Sequence, residues 1–185
     1  MAKIDKQGRT SVYGAAPSVK PQRPHTLAIL VDNEPGVLGR VIGLFSGRGY
    51  NIESLTVAET EVDKHRSRIT IVSSGTEHVI EQIKHSLERM VPVHKVHDLT
   101  VEGPHVEREL ALLKVKGKKE KRIEALQLAE VFRARILDST LESFVFEVTG
   151  TSEKITAFTD LMRPLGLIET SRTGVVAISR GKETI

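Results

Sequence analysis

The chain has 185 residues, 39% hydrophobic and 28% charged, with no cysteine, no tryptophan and a formal net charge of +3. That length builds one or two domains, the missing cysteines exclude disulfides, thiolate catalysis and Cys-ligated metal centres, and no apolar run reaches the ~18 residues of a membrane span. Charge is uneven: residues 1–24 hold five basic groups against Asp5, leaving 22 basic and 23 acidic side chains from His25 onward, so the body lacks the positive field typical of a nucleic-acid binder.

Residues 1–24, with Gly8, Gly14, Pro17, Pro21 and Pro24, read as a flexible basic leader. They hold no apolar core of signal-peptide type, and the expected location is cytoplasmic. His25–Val31 is an apolar run of strand length, broken by Asp32-Asn33-Glu34-Pro35-Gly36. Val37, Leu38, Val41, Ile42 and Phe45 then mark one face of a helix, with Gly47 and Gly49 as its ending residues. Strands are expected at Asn51–Glu59 and Arg68–Val72, around a polar turn at 60–64. Val79, Ile80, Ile83, Leu87 and Met90 form a second amphipathic helix, and Val93–Asp98 is a short strand after Pro92. The order is the split βαβ pattern, β-α-β-β-α-β.

Val101–Pro104 reads as a linker, after which the pattern repeats: a strand at Glu109–Val115, a helix carrying Ile123, Leu126, Ala129 and Phe132, and strands at Arg135–Asp138 and Ser143–Thr149. A helix on Ile155, Phe158, Leu161, Met162 and Leu165 and a last strand at Val175–Ile178 complete it. The expected fold is α+β, two tandem ferredoxin-like βαββαβ domains at 25–100 and 105–181. Units this small bury a modest share of their surface, and four-stranded sheets leave edges that invite pairing, so an oligomer is expected.

Among candidate sites, the order of Gly43, Gly47 and Gly49 is wrong for a phosphate loop, because the helix precedes them. The loop Asp32–Gly36 is better placed, between an apolar strand and a helix whose first N–H groups are unpaired. Gly36 admits an anion without a Cβ in the way, and Asn33, which donates and accepts, suits a zwitterion. On spacing alone, the reading of Asn33 as a cap and of Pro35-Gly36 as a turn outweighs the ligand reading. The seven histidines read as surface groups. His94-x-x-His97 points to opposite strand faces, and neither a metal site nor a catalytic constellation is expected. The basic run Lys114–Arg122 reads as a solvated loop, or as a contact for an acidic partner or nucleic acid, without aromatic interleaving to stack bases.

The stretch from Asp32-Asn33-Glu34-Pro35-Gly36-Val37-Leu38 through Gly49-Tyr50-Asn51-Ile52-Glu53-Ser54-Leu55 closely resembles the N-terminal ACT domain of the acetohydroxyacid synthase (acetolactate synthase) regulatory small subunit. His105–Leu110, Phe132–Asp138 and Ser171–Gly181 are similar to that family's C-terminal domain. The resemblance implies a non-catalytic subunit in branched-chain amino-acid biosynthesis that dimerises through its ACT domain (25–100). It would activate a catalytic partner and confer feedback inhibition by valine or another branched-chain amino acid. No cofactor is expected in this chain; thiamine diphosphate, Mg and FAD are expected in the catalytic partner. In the family the effector lies at the ACT dimer interface, on an Asn and a Gly of the first strand–helix loop and an Asn beginning the second strand. These match Asn33, Gly36 and Asn51. Backbone N–H groups near Gly36–Leu38 would take the carboxylate, while Val37, Leu38 or Ile52 would offer room for an apolar side chain.

Overall fold

The computed structural model describes residues 22–182 and 184–185, and of Val62 the backbone alone. Residues 1–21, most of the expected leader, lie outside the described residues. The first unit comprises β1 (Arg23–Asp32), α1 (Val37–Gly47), β2 (Ser54–Glu61), β3 (Arg66–Gly75), α2 (Glu77–Glu88) and β4 (Val93–Asp98). Its sheet runs β2-β3-β1-β4, every neighbour antiparallel. After one helical turn, α3 (Leu99–Glu102), come β5 (His105–Val115), α4 (Glu120–Val131), β6 (Arg135–Ser139), β7 (Phe144–Gly150), α5 (Ser152–Met162), β8 (Leu167–Arg172) and β9 (Val176–Ser179). The second sheet repeats the first order as β6-β7-β5-β8, with β9 added beside β5. The chain is therefore α+β, with two ferredoxin-like βαββαβ units in tandem.

Alternation along each strand decides what is covered. Leu27, Ile29 and Val31 on β1 lie opposite Ile71 and Ile69 on β3. With Val37, Val41 and Phe45 of α1 and Ile80, Ile83 and Leu87 of α2 they form one aliphatic core. Phe146, Phe158, Leu113 and Ile155 anchor the equivalent core of the second unit. The other face of β1 is buried as well, because Ala28 packs against Leu99, Val175 and Ala177. A strand covered on both faces needs a continuous apolar run rather than alternation, which accounts for the texture of Leu27–Val31. Polar contacts hold the same junction: Arg68 donates to the Ala177 carbonyl at 2.8 Å, and the Val175 N–H donates to Ser54 Oγ at 2.7 Å.

Four sequence expectations are corrected. The fourth strand of the second sheet is Leu167–Arg172, not Val175–Ile178. The latter region is β9, which pairs with the head of β5 through His105↔Ser179 to Arg108↔Val176. β8 is an exposed edge strand with only its first residue half-buried, so it carries no apolar alternation to read. The expected linker at 101–104 is partly helical, since Asp98 Oδ1 accepts from the Thr100 N–H at 3.0 Å and starts a turn. β5 begins at His105 rather than Glu109. Finally, His25 is not a surface group: it is 1% exposed, and its Nδ1 lies 2.6 Å from the equally buried Asp98 carboxylate. His94 and His97 do diverge, to Asp32 and to Glu102 respectively.

Candidate functional site

The loop after β1 is held by backbone bonds that leave its side chains outside. Asp32 N–H donates to the Pro92 carbonyl at 2.9 Å, and Asn33 N–H to the His65 carbonyl at 2.7 Å. These two bonds tie the end of β1 to the segments beside β4 and β3. Asn33, Glu34, Pro35 and Gly36 are exposed. Gly36 is the N-cap of α1, with φ 86° in the left-handed region, and a Cβ there would meet nothing within 4 Å. Glycine reaches that conformation without strain. No side chain caps α1 and no acid sits in its first turn, whereas α2 and α5 are capped by the hydroxyls of Thr76 and Thr151. Unpaired N–H groups and the positive end of the helix dipole are thus turned toward solvent beside Asn33.

The six predicted residues separate into two groups. Val37 is 2% exposed and belongs to the core, so its side chain lines no site. Its N–H turns back to the Glu34 carbonyl at 3.3 Å. Leu38 beside it is 37% exposed. Asn51 lies at the other end of α1. It precedes β2 instead of starting it, because Gly49 takes a φ of 71° and Tyr50 N–H closes the helix on the Phe45 carbonyl at 2.9 Å. The Asn51 carbonyl accepts from Ser73 Oγ at 2.7 Å, and its side chain is exposed. Ile52 packs partly against the core.

Register shows how far apart the groups lie. Asp32 is paired with Arg66, and Ser73 stands seven residues further along β3, roughly 23 Å at ~3.3 Å per residue. One copy of the chain therefore cannot close Asn33–Leu38 and Asn51–Ile52 around one amino acid. β2 is one of the two edges of this sheet, with Val57 41% exposed on its helix-bearing face.

A second polar assembly escaped the sequence reading. Between the two sheets runs a cleft of about 800 Å³ whose lining includes Ser54, Glu107, Glu109, Ser152, Arg172 and Thr173. Glu109, 5% exposed, accepts two bonds of 2.6 Å from Arg172 and a third of 3.1 Å from Ser152 Oγ. The Arg172 guanidinium holds the Glu109 carboxyl below the usual carboxylate range against the opposing effect of burial. The available signal was an acid set directly before an apolar run, Glu109 before Leu110-Ala-Leu-Leu113. Among the described residues, no group of three or more His, Asp or Glu side chains is placed to hold a metal ion, and no helix is long and apolar enough to cross a membrane.

Residues 27–95 match the family model described as the AHAS small subunit-like ACT domain, and residues 108–181 match that of the small subunit of acetolactate synthase. The chain is 50% identical over 159 residues to the probable acetolactate synthase small subunit of Archaeoglobus fulgidus, covering 86% of this chain and 98% of that protein. It is 46% identical over 156 residues to the acetolactate synthase isozyme 3 small subunit of Salmonella typhimurium, covering 84% and 94%. The crystal structure of the acetolactate synthase small subunit from Thermotoga maritima superposes with a TM-score of 0.79 at 40% identity, covering 87% of this chain and 99% of that one.

Proposed function

The chain belongs to the acetolactate synthase small-subunit family, and from that premise we propose that it binds valine or another branched-chain amino acid between two copies of its ACT domain and passes that signal to a catalytic subunit. The effector carboxylate sits on the free N–H groups opening α1. Asn33 of the same copy and Asn51 of the other supply hydrogen bonds to carboxylate or ammonium. Leu38 and Ile52 flank the aliphatic side chain. The chain itself performs no chemistry; it activates a thiamine-diphosphate-dependent partner that holds the cofactors.

The observation that supports this reading best is the uncapped start of α1 behind Gly36, separated by the length of the sheet from Asn51. A site split in this way responds to how two copies sit against each other. That gives ligand binding a route to the catalytic partner, with coupling typically worth ~1–3 kcal/mol. Reconstitution tests it: the chain alone forms no acetolactate from pyruvate, and added to its catalytic subunit it raises that activity and makes it sensitive to valine, leucine or isoleucine. A reconstituted activity indifferent to all three amino acids contradicts the proposal.

A further inference from the structure

The segment Asn51–Glu53 is fastened to β3 on both sides of Ile52. The Asn51 carbonyl accepts from Ser73 Oγ at 2.7 Å, and the Glu53 N–H donates to the Val72 carbonyl at 2.8 Å. A shift at Asn51 therefore reaches Ser54, the first residue of β2, with little slack. Leu55 packs against the core of the first unit, and strand alternation turns Ser54 and Thr56 to the other face of the sheet. There they meet the second unit. Ser54 Oγ accepts from the Val175 N–H at 2.7 Å, and Thr56 Oγ1 donates to the Thr173 carbonyl at 3.4 Å.

The facing turn, Thr173-Gly174-Val175 between β8 and β9, is fixed on its own side as well. Arg172 before it holds the buried Glu109 carboxylate by two bonds of 2.6 Å. Thr173 N–H donates to the Leu110 carbonyl at 3.0 Å, and Thr173 Oγ1 accepts from the Leu110 N–H at 3.2 Å. Val175 after it is buried in the small core with Ala28, Leu99 and Ala177. Gly174 takes a φ of 87°, and no side chain fits there. A Cβ would lie 2.8 Å from Ser54 Oγ, 3.0 Å from Thr56 Oγ1 and 3.2 Å from the Leu55 carbonyl oxygen. Gly36 has a similar φ but open space around it. Gly174 is thus required twice, by its conformation and by the close approach of β2.

We propose that this contact relays effector binding at Asn51 to the second unit, with Gly174 and Ser54 as its positioning residues. The inference rests on the reading of Asn51–Ile52 as half of the effector site and adds the residues that carry its signal. An effector held on Asn51 quiets the segment 51–53, and the bond from Val175 to Ser54 is then made for more of the time. Linkage requires the reverse: a chain with this contact closed binds the effector more tightly, by the same factor. Arg68 and Thr26 also bridge the units, to the Ala177 carbonyl at 2.8 Å and to Glu107 at 3.3 Å. They stand on β3 and β1, whereas Ser54 follows Ile52 by two residues.

The test uses the full chain and its purified catalytic subunit, and the probe is whichever of valine, leucine and isoleucine inhibits the wild-type complex. Gly174→Ala pushes the Ser54 side chain off its bond. Ser54→Ala removes the acceptor without adding an atom and serves where the first variant folds poorly. Each variant still fills its sites in a calorimetric titration, with affinity lowered by no more than about tenfold, and still raises the activity of the catalytic subunit. At saturating amino acid, however, the inhibited share of that activity falls below about a third of the wild-type share. A contact that is merely structural lowers stability or affinity and leaves inhibition at saturation unchanged. A second measurement needs no variant: hydrogen exchange at the wild-type Val175 amide slows severalfold when the amino acid is added. Wild-type inhibition at saturation in either variant would overturn the proposal. So would exchange at Val175 that is indifferent to an amino acid the chain binds. A wild-type chain that binds none of the three would refute the parent reading and, with it, this one.

Discussion

At the scale of single residues, Gly36 does two things that no other residue type does together. It takes a φ of 86° and leaves the start of α1 bare. Gly36→Asp costs about 1 kcal/mol in backbone strain, and the new carboxylate caps the N–H groups assigned to the proposed effector. The expected outcome is a chain that still activates its catalytic subunit but no longer confers valine inhibition, read by steady-state assays across a valine titration. Inhibition unchanged from wild type contradicts the loop assignment. Val37 shows what spacing leaves open. It adjoins Leu38 in sequence, but the helix turns it about 100° away and into the core, so only the backbone of that position is available to a ligand.

Elements were legible where burial wrote a period into the sequence. α1, α2 and α5 show apolar side chains every three to four residues because each lies on a sheet. The two-sided cover of β1 produced an equally plain apolar run. β8 left no such mark, being an edge strand that buries almost nothing. Its place is set by long-range pairing with β5 and by the bidentate bond from Arg172 to Glu109. That bond ties β5, β8 and the start of α5 together, and Glu109→Gln tests it. The loss at neutral pH is about 1–3 kcal/mol, below the figure for a wholly buried pair because Arg172 is partly in solvent. The sign with pH follows from the lowered carboxyl pKa. The contribution is full above the ordinary glutamate value of 4.5 and disappears as the pH falls through the lower value of the folded state. Denaturant melts across the acid range therefore show a shallower acid slope in the variant, and parallel curves contradict the assignment.

On the scale of the whole molecule, the two units share a topology but differ in what they expose. The first has an edge strand, β2, and an uncapped helix start at α1; the second adds β9 beside β5 and holds the Glu109–Arg172 pair. β5 spans both, with its head in the ribbon that lies on the first sheet and its tail at the mouth of the β6–β7 hairpin. The candidate loop was legible because Asn33 to Gly36 are local in sequence. The proposed partnership with Asn51 was not, because it depends on an axis between two chains that no single chain records. The most direct measurement follows from that. Gly36→Asp and Asn51→Ala chains are prepared separately, unfolded together in equal amounts, refolded and titrated with valine by calorimetry. Each variant alone has lost tight binding, but a mixed dimer pairs the intact loop of the Asn51→Ala chain with the intact Asn51 of the Gly36→Asp chain. Random pairing of two chains in a twofold dimer then restores tight sites to about a quarter of the wild-type number. A mixture that binds no better than the separate variants would show that these residues do not meet across copies.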